Sequence, residues 1–312
     1  MSQGSATDFE AHRPALKGLA YRMLGTVSDA EDVVQEAYLR WHGMDIGGID
    51  NPGAYLSTVV SRLCLDRWKE ARHQRETYVG PWLPEPVVLE TNDPASIHDL
   101  AHDVSFALML ALERLSPLER AAFLLHDVFD MDFRDVAKTL DRSESACRQL
   151  AKRARHHVQS ARPRFEADPD QGERLAEAFF SASRSGDTQT LLTVLSEHVV
   201  LHADGGGIRS AALRLIHGAD RISRFFAGVA RKKGQPPRWS RRVIINGLPG
   251  FLTLEADGML QVTSVALHDG RITDIYVIRN PNKLDHLAHL VPESLMNASK
   301  SDNGRFPHES PE

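Results

Sequence analysis

The sequence predicts a multidomain chain of mixed class: two all-α domains, the second a helix-turn-helix, followed by an α+β domain built on a curved antiparallel sheet. Three observations carry this. Residues Asp8 to Glu76 and Val104 to Phe165 show helical spacing of apolar side chains with almost no β-branched runs. Two of the later helical patterns meet across a short polar break at Asp141 to Ser143, as in a helix-turn-helix. From Ser240 onward, strand-like runs alternate with Asp257-Gly258 and Asp269-Gly270, dipeptides that favour hairpin turns because both residues tolerate positive φ. At 312 residues the chain has room for two or three modest cores.

The elements follow in order. "TVSDAEDVVQEAYLRWH" offers Ser28 as an N-cap and Glu31 as its capping-box partner. Val33, Val34, Ala37, Tyr38 and Trp41 then share one face, which leaves Asp29, Asp32, Gln35 and Glu36 pointing elsewhere. In the next helix Asn51 caps, Pro52 suits the first helical position, and Leu56, Val59, Val60 and Leu63 form the buried stripe. Arg62, Arg67, Lys69, Arg72 and Arg75 make this helix basic. Residues 77–100 read as a linker, because Pro81, Pro84 and Pro86 fix φ and remove backbone donors. A solvated tether has no use for Trp82 and Leu83, so the strap "WLPEP" is expected to dock on something.

The predicted domains are 1–76, 101–166 and 170–291, with a polar tail over 292–312 expected to be disordered. Pro117 after Ser116 opens a helix in the second domain, and polar breaks at Asp130 to Asp132 and Asp141 to Ser143 divide it into three. In the third domain, helices at Arg174 to Ser185 and Thr188 to Ser196 precede the strands.

The net charge of -5 does not suggest nucleic acid, but the sum hides local basic blocks. The two cysteines, Cys64 and Cys147, lie far apart in helical stretches and away from any metal-ligand spacing, which fits reduced thiols. No stretch approaches the roughly 18 apolar residues of a membrane span, and the N-terminus has no apolar leader. A cytoplasmic protein without metal or cofactor is expected.

Within "DFRDVAKTLDRSESACRQLAKRARHHV", Val136, Ala137 and Leu140 face Ala146, Leu150 and Ala154 across the turn. Ser145, Arg148, Gln149, Lys152 and Arg153 then point outward on a helix suited to a DNA major groove. Guanidinium and amide groups match purine edges bidentately, so Arg148 and Gln149 are the expected base readers. Lys152, Arg153, Arg155, Arg162 and Arg164 add phosphate attraction, and Ser143 caps the helix. Asp141 stands where glycine would ease the turn, and aspartate tolerates the left-handed conformation.

Four stretches in this order, "VSDAEDVVQEAYLRW", "NPGAYLSTVVSRLCLDRWKEAR", "ALERLSPLERAAFLLHDVFDMDFRDVAKTL" and the basic helix, resemble bacterial RNA polymerase sigma factors of the extracytoplasmic-function class. The resemblance covers the first half of the chain. It implies that Asp29, Asp32, Gln35 and Glu36 bind core RNA polymerase at the β′ clamp, with the second domain at the β flap. It also implies that Arg62, Arg67, Lys69 and Arg72 hold the -10 promoter element while the helix-turn-helix reads the -35 element. The loop "GMDIGGID" falls where the family places a flipped-base pocket; Trp41 and Trp68 are either stacking platforms or core.

The segment from Asp170 to Leu284 resembles the SnoaL-like cone of curved sheet closed by helices. Three motifs, "WLPEP", "DGGG" and "NPNKL", resemble a sigma-J-type subgroup; Asn282 replaces a common aspartate. The resemblance implies regulation in cis with no separate anti-sigma factor. It places interdomain contacts at Trp82, Leu83, Pro84, Asp204, Gly205, Gly206, Gly207, Asn280, Pro281, Lys283 and Leu284. A small-molecule ligand of the cone is open to this domain, and His202, Asp204, His217, Asp274 and Tyr276 are groups able to do acid-base work, although no catalysis is expected. The rival reading is a stand-alone helix-turn-helix repressor or activator with a sensor domain, which would need neither the acidic face nor the basic helix of the first domain.

Overall fold

The structure, a computed structural model, describes residues 3–44, 49–89, 105–161, 169–233 and 235–295. The chain forms two compact units: Met1–Tyr78 with Asp93–Arg164, and Val79–Asn92 with Phe165–Glu312. The strap therefore belongs to the C-terminal unit.

In the first unit, α1 (Gln3–Leu24), α2 (Val27–His42) and α3 (Pro52–Glu76) enclose Leu16, Leu19, Met23, Val33, Trp41, Leu56 and Val60. Trp41 is core, 1% exposed. The Asn51 side chain accepts from the Ala54 amide at 3.0 Å, as its capping position requires. The expected Ser28 cap is corrected: α2 begins two residues earlier, behind Thr26 in extended conformation, and the Thr26 hydroxyl is bonded to Asp29 instead.

The remaining helices of this unit are α4 (Phe106–Glu113), α5 (Pro117–Phe123), α6 (Phe133–Leu140) and α7 (Glu144–Ala161). Ser116 and Glu119 close a reciprocal capping box at the start of α5. A π-helical turn, Leu124–Val128, carries α5 on to the expected polar break at Asp130. Asp141 ends α6 in the left-handed conformation, φ 51°. The buried stripe of α7 is Cys147, Ala151, Ala154 and Val158, whereas Ala146 and Leu150 are half-buried. Of the expected stripe Ala154 is buried, whereas Cys147 and Ala151 take the places expected of Ala146 and Leu150, because a buried thiol packs as a small apolar group. Burial pushes both the Cys64 and Cys147 thiols above their ordinary pKa.

In the C-terminal unit, α8 (Pro169–Ser185) and α9 (Thr188–Val194) lead into a seven-stranded sheet, and α10 (Ala219–Lys233) packs with them. The strands are β1 (Val88–Leu89), β2 (Leu195–Asp204), β3 (Ile216–His217), β4 (Trp239–Ile245), β5 (Leu248–Leu254), β6 (Leu260–His268) and β7 (Arg271–Ile278), in spatial order β1-β4-β5-β6-β7-β2-β3. The sheet is mixed, not antiparallel throughout: β2 and β7 run parallel, with Leu201 opposite Ile275. No hairpin joins these two strands, so nothing in their connection forces them antiparallel.

Strand β1 comes from the predicted linker and pairs Val88 with Ile245 at the sheet edge. A further tight turn, Asn246-Gly247 with both φ positive, joins β4 to β5. Phe179, Leu191, Val199, Leu201, Ile222, Val265 and Ile275 form the core between helices and sheet. Residues 293–295 make a helical turn after the last strand, and 296–312 lie outside the described residues. Among the described residues, no helix is long and apolar enough to cross a membrane, and no group of three or more His, Cys, Asp or Glu is placed to hold a metal.

Candidate functional site

The αL turn at Asp141 sets α7 against α6, so that Ser145, Arg148, Gln149, Lys152 and Arg153 are all exposed along one side. The Ser143 hydroxyl accepts from the Ala146 amide at 3.2 Å and caps α7. Arg148 lies over the Phe133 ring, 4.6 Å from its centroid, and pairs with Glu144 at 3.3 Å. These contacts hold the guanidinium near the start of the helix, where a groove-binding helix meets base edges. Arg153 is bonded to Glu119 at 2.7 Å. Burial alone would raise the Glu119 pKa, but the Arg153 and Ser116 hydrogen bonds outweigh it and hold the carboxyl below its ordinary value.

On the first three helices the structure brings together residues assigned to different partners. Arg67 bridges Asp29 at 3.3 Å and Asp32 at 3.1 Å, all of them partly exposed. Glu36 pairs with Arg40 and Gln35 is exposed. Arg62 donates to the Thr139 carbonyl at 3.2 Å and the Lys138 carbonyl at 2.8 Å, at the C-terminus of α6. Such carbonyls carry the negative end of the helix dipole and lack intrahelical donors. Thr58 meets Thr139 beside them at 3.0 Å. Lys69 and Arg72 lie outside the residues whose side chains are described, as does the middle of the "GMDIGGID" loop.

In the C-terminal unit, Asp204 at the end of β2 is fully buried. One carboxylate oxygen accepts from the Leu83 amide at 2.9 Å and from Lys283 Nζ at 2.8 Å, and the other accepts from the Gly206 amide at 3.0 Å. Lys283 also donates to the Leu83 carbonyl and sits 4.1 Å from the Trp82 ring centroid. Leu83 is 0% exposed, and Pro84 and Leu284 are buried. Pro281 opens the short 3-10 helix that carries Lys283, behind an Asn280 cap. Asn282 donates its backbone amide to the Asn280 side chain at 3.1 Å and exposes its own side chain.

The chain reverses after Asp204 because Gly205 approaches the Arg209 carbonyl, 2.1 Å from where a Cβ would stand, and Gly206 holds φ +63° against Asn280. Two bonds extend the strap's attachment: His286 Nε2 donates to the Pro86 carbonyl at 2.9 Å, and the Val87 amide donates to Asn246 at 2.9 Å. Neither His286 nor Asn246 stood out in the sequence; the Asn-Gly turn was a usable signal for the second.

A cavity of about 370 Å³ opens between α8, α10 and the sheet, lined by Phe180, Leu201, Ala203, Phe225, Phe226, Val229 and Val277, with Arg184, Ser210, Gln261, Thr263 and Arg279 among its polar groups. The acid-base candidates do not line it. His202 and Tyr276 pair in register on β2 and β7, between Leu201, Ala203 and Val277, and strand alternation turns them to the other face. His202 meets Asp274 at 3.3 Å and stacks on Tyr276, whose pKa is pushed up by burial. His217 borders a separate open depression with Glu197 and Arg271.

Models for Sigma-70 region 2 and Sigma-70, region 4 match residues 9–74 and 105–158. The ECF RNA polymerase sigma factor SigJ of Mycobacterium tuberculosis is 40% identical over 288 residues, spanning 89% of this chain and 92% of that one. This chain belongs to the ECF RNA polymerase sigma factor family. A SigI sigma factor of the same species is 34% identical over 281 residues, covering 89% of this chain and 94% of that one. The crystal structure of M. tuberculosis SigJ matches with a TM-score of 0.72 and 37% identity, across 90% of this chain and 98% of that one. In this ECF sigma factor the two sigma regions thus occupy the helical unit, and the extension is a helix-led mixed sheet.

The residue that sequence reasoning missed in region four is Arg120. Fully buried, it donates to the carbonyls of Leu112 and, at 2.8 Å, Met23, and pairs with Glu113. It ties the C-termini of α1 and α4 together, yet in "PLERAA" it is indistinguishable from a solvated arginine.

Proposed function

We propose that this ECF sigma factor docks on core RNA polymerase through Asp29, Asp32, Gln35 and Glu36, at the β′ clamp, with region four at the β flap. Arg62, Arg67, Lys69 and Arg72 of α3 hold the -10 element; Ser145, Arg148, Gln149, Lys152 and Arg153 of α7 hold the -35 element. It starts transcription without covalent chemistry of its own. The C-terminal domain regulates this in cis, through the strap, without a separate anti-sigma factor.

The observation that supports the reading most is the exposed side of α7, where four donor-rich side chains follow a capped N-terminus in a region-four match. In the free chain Arg62 and Arg67 are held by internal acceptors, so loading on DNA exchanges carbonyl and carboxylate partners for phosphates. The test is in vitro transcription with core polymerase and the full chain on a promoter selected from genomic DNA. Specific initiation is expected. Duplex binding by the chain alone, with no initiation in the presence of core, would give the protein over to the repressor reading.

A further inference from the structure

The cavity of the C-terminal domain has an apolar wall and a cationic end, and the cations there are unevenly matched. Arg184 is held by both oxygens of Glu255, which also receives the Thr253 hydroxyl. Arg279 has no such counterion. Its side chain is 10% exposed and donates to the Ser210 carbonyl, while the nearest carboxylate, half-exposed Asp257, stands 3.7 Å away and is shared with Arg209 at 3.9 Å. Arg209 Nε is itself buried with no hydrogen-bond partner among the described residues. Around Arg279, three guanidiniums thus meet two carboxylates, and of the five groups Arg184 and Arg279 line the cavity. Burial disfavours the Arg279 charge and lowers its pKa, the direction expected of a cation short of close anionic partners.

The rest of the lining is mostly aromatic and aliphatic: Phe180, Phe225, Phe226 and Val229 from the helices, Leu201 and Val277 from the sheet, with Lys232 of α10 as a further cation. A volume of about 370 Å³ falls within the range of sites for small organic ligands. The cationic end is also continuous with the strap's attachment. Ser210, which accepts from Arg279, lies in the loop that follows Asp204, and the Arg279 amide donates to the Asp204 carbonyl at 2.7 Å. That same Asp204 binds Leu83 and Lys283.

We propose that this cavity binds a hydrophobic monoanion, an aromatic or acyl body carrying one acid group, with the acid on Arg279, and that occupancy strengthens the attachment of the strap. The binding claim does not depend on the transcription reading, since its test uses no polymerase or DNA.

The probes are 8-anilinonaphthalene-1-sulfonate and its uncharged counterpart N-phenyl-1-naphthylamine, titrated into the full chain. One saturable site is expected for the sulfonate, with the neutral probe at least about tenfold weaker, in line with loss of one buried charge contact. Arg279→Gln removes that preference and leaves the neutral probe within about twofold, whereas Val229→Trp, which fills the cavity without touching Arg279, abolishes both. Decanoate displaces the sulfonate at concentrations at least about tenfold below those that decanol requires. Equal affinity for the two probes, or binding that survives Val229→Trp, overturns the site; should Arg279→Gln fail to fold, the probe comparison on the unaltered chain and Val229→Trp still decide. Hydrogen exchange over residues 82–88 is slowed severalfold by the sulfonate at saturation, and unchanged exchange there overturns the link to the strap.

Discussion

At the residue scale the attachment of the strap rests on one buried ion pair with both carboxylate oxygens engaged. Asp204 serves Lys283 and two backbone amides, and Lys283 serves Asp204, the Leu83 carbonyl and the face of Trp82. Removing one member of such a pair strands the other in a dry site, at a cost of about 3–5 kcal/mol, whereas removing both together costs less than the sum. Asp204→Ala is therefore expected to speed exchange of the Leu83 amide by more than a hundredfold. Lys283→Met added to it should recover about 1–3 kcal/mol of that loss. Strict additivity of the two changes would refute the coupling. Gly206→Ala tests the same place through the backbone: a Cβ would stand 2.4 Å from the Asn280 side chain at φ +63°, so a loss of more than about 1 kcal/mol is expected from thermal melting of the C-terminal unit.

At the element scale, what the sequence made legible was whatever local rules govern. The cap at Asn51, the Ser116 start of α5, the αL turn at Asp141 and the outward side of α7 follow from side-chain chemistry within a few residues. The parallel β2–β7 pair, the β1 edge strand and the role of Arg120 depend on partners far along the chain, and no local pattern encodes them. Prolines in the strap concealed β1 for a physical reason: Pro81, Pro84 and Pro86 cannot donate, so the strap is held by the amides of Leu83 and Val87 and by the carbonyls of Leu83 and Pro86. The converging strap motifs were legible as motifs, but the buried network of Asp204 and Lys283 was not. Helix α7 carries its own prediction. Arg148→Ala and Gln149→Ala, assayed in holoenzyme on matched and mutated -35 elements, should each lose about 1–3 kcal/mol of discrimination at one base position. Lys152→Ala should instead weaken all sequences alike and reduce the salt dependence by about one ion. Loss of discrimination from Lys152→Ala with none from Arg148→Ala would reverse the assignment.

At the scale of the whole molecule, the segment between the two sigma regions is not a free tether. Residues from Val79 to Leu89 leave α3 behind and join the sheet of the C-terminal domain before the chain goes on to α4. Holding that segment removes part of the length over which regions two and four can separate, and a shorter free linker narrows the distances it can span. Promoter spacing measures this directly, because each base pair inserted between the -35 and -10 elements moves one by about 3.4 Å and turns it by roughly 35° relative to the other. The intact factor is expected to initiate over a narrow range of spacings. A chain ending at Phe165 leaves the strap without its sheet and should initiate over a wider one. Leu83→Asp separates docking from the mere presence of the domain: it places a charge in a fully buried position beside Asp204, releases the strap and keeps the rest of the extension. If the strap sets the spacing, Leu83→Asp broadens the range as truncation does; if both variants keep the narrow optimum of the intact chain, the extension acts on transcription by another route.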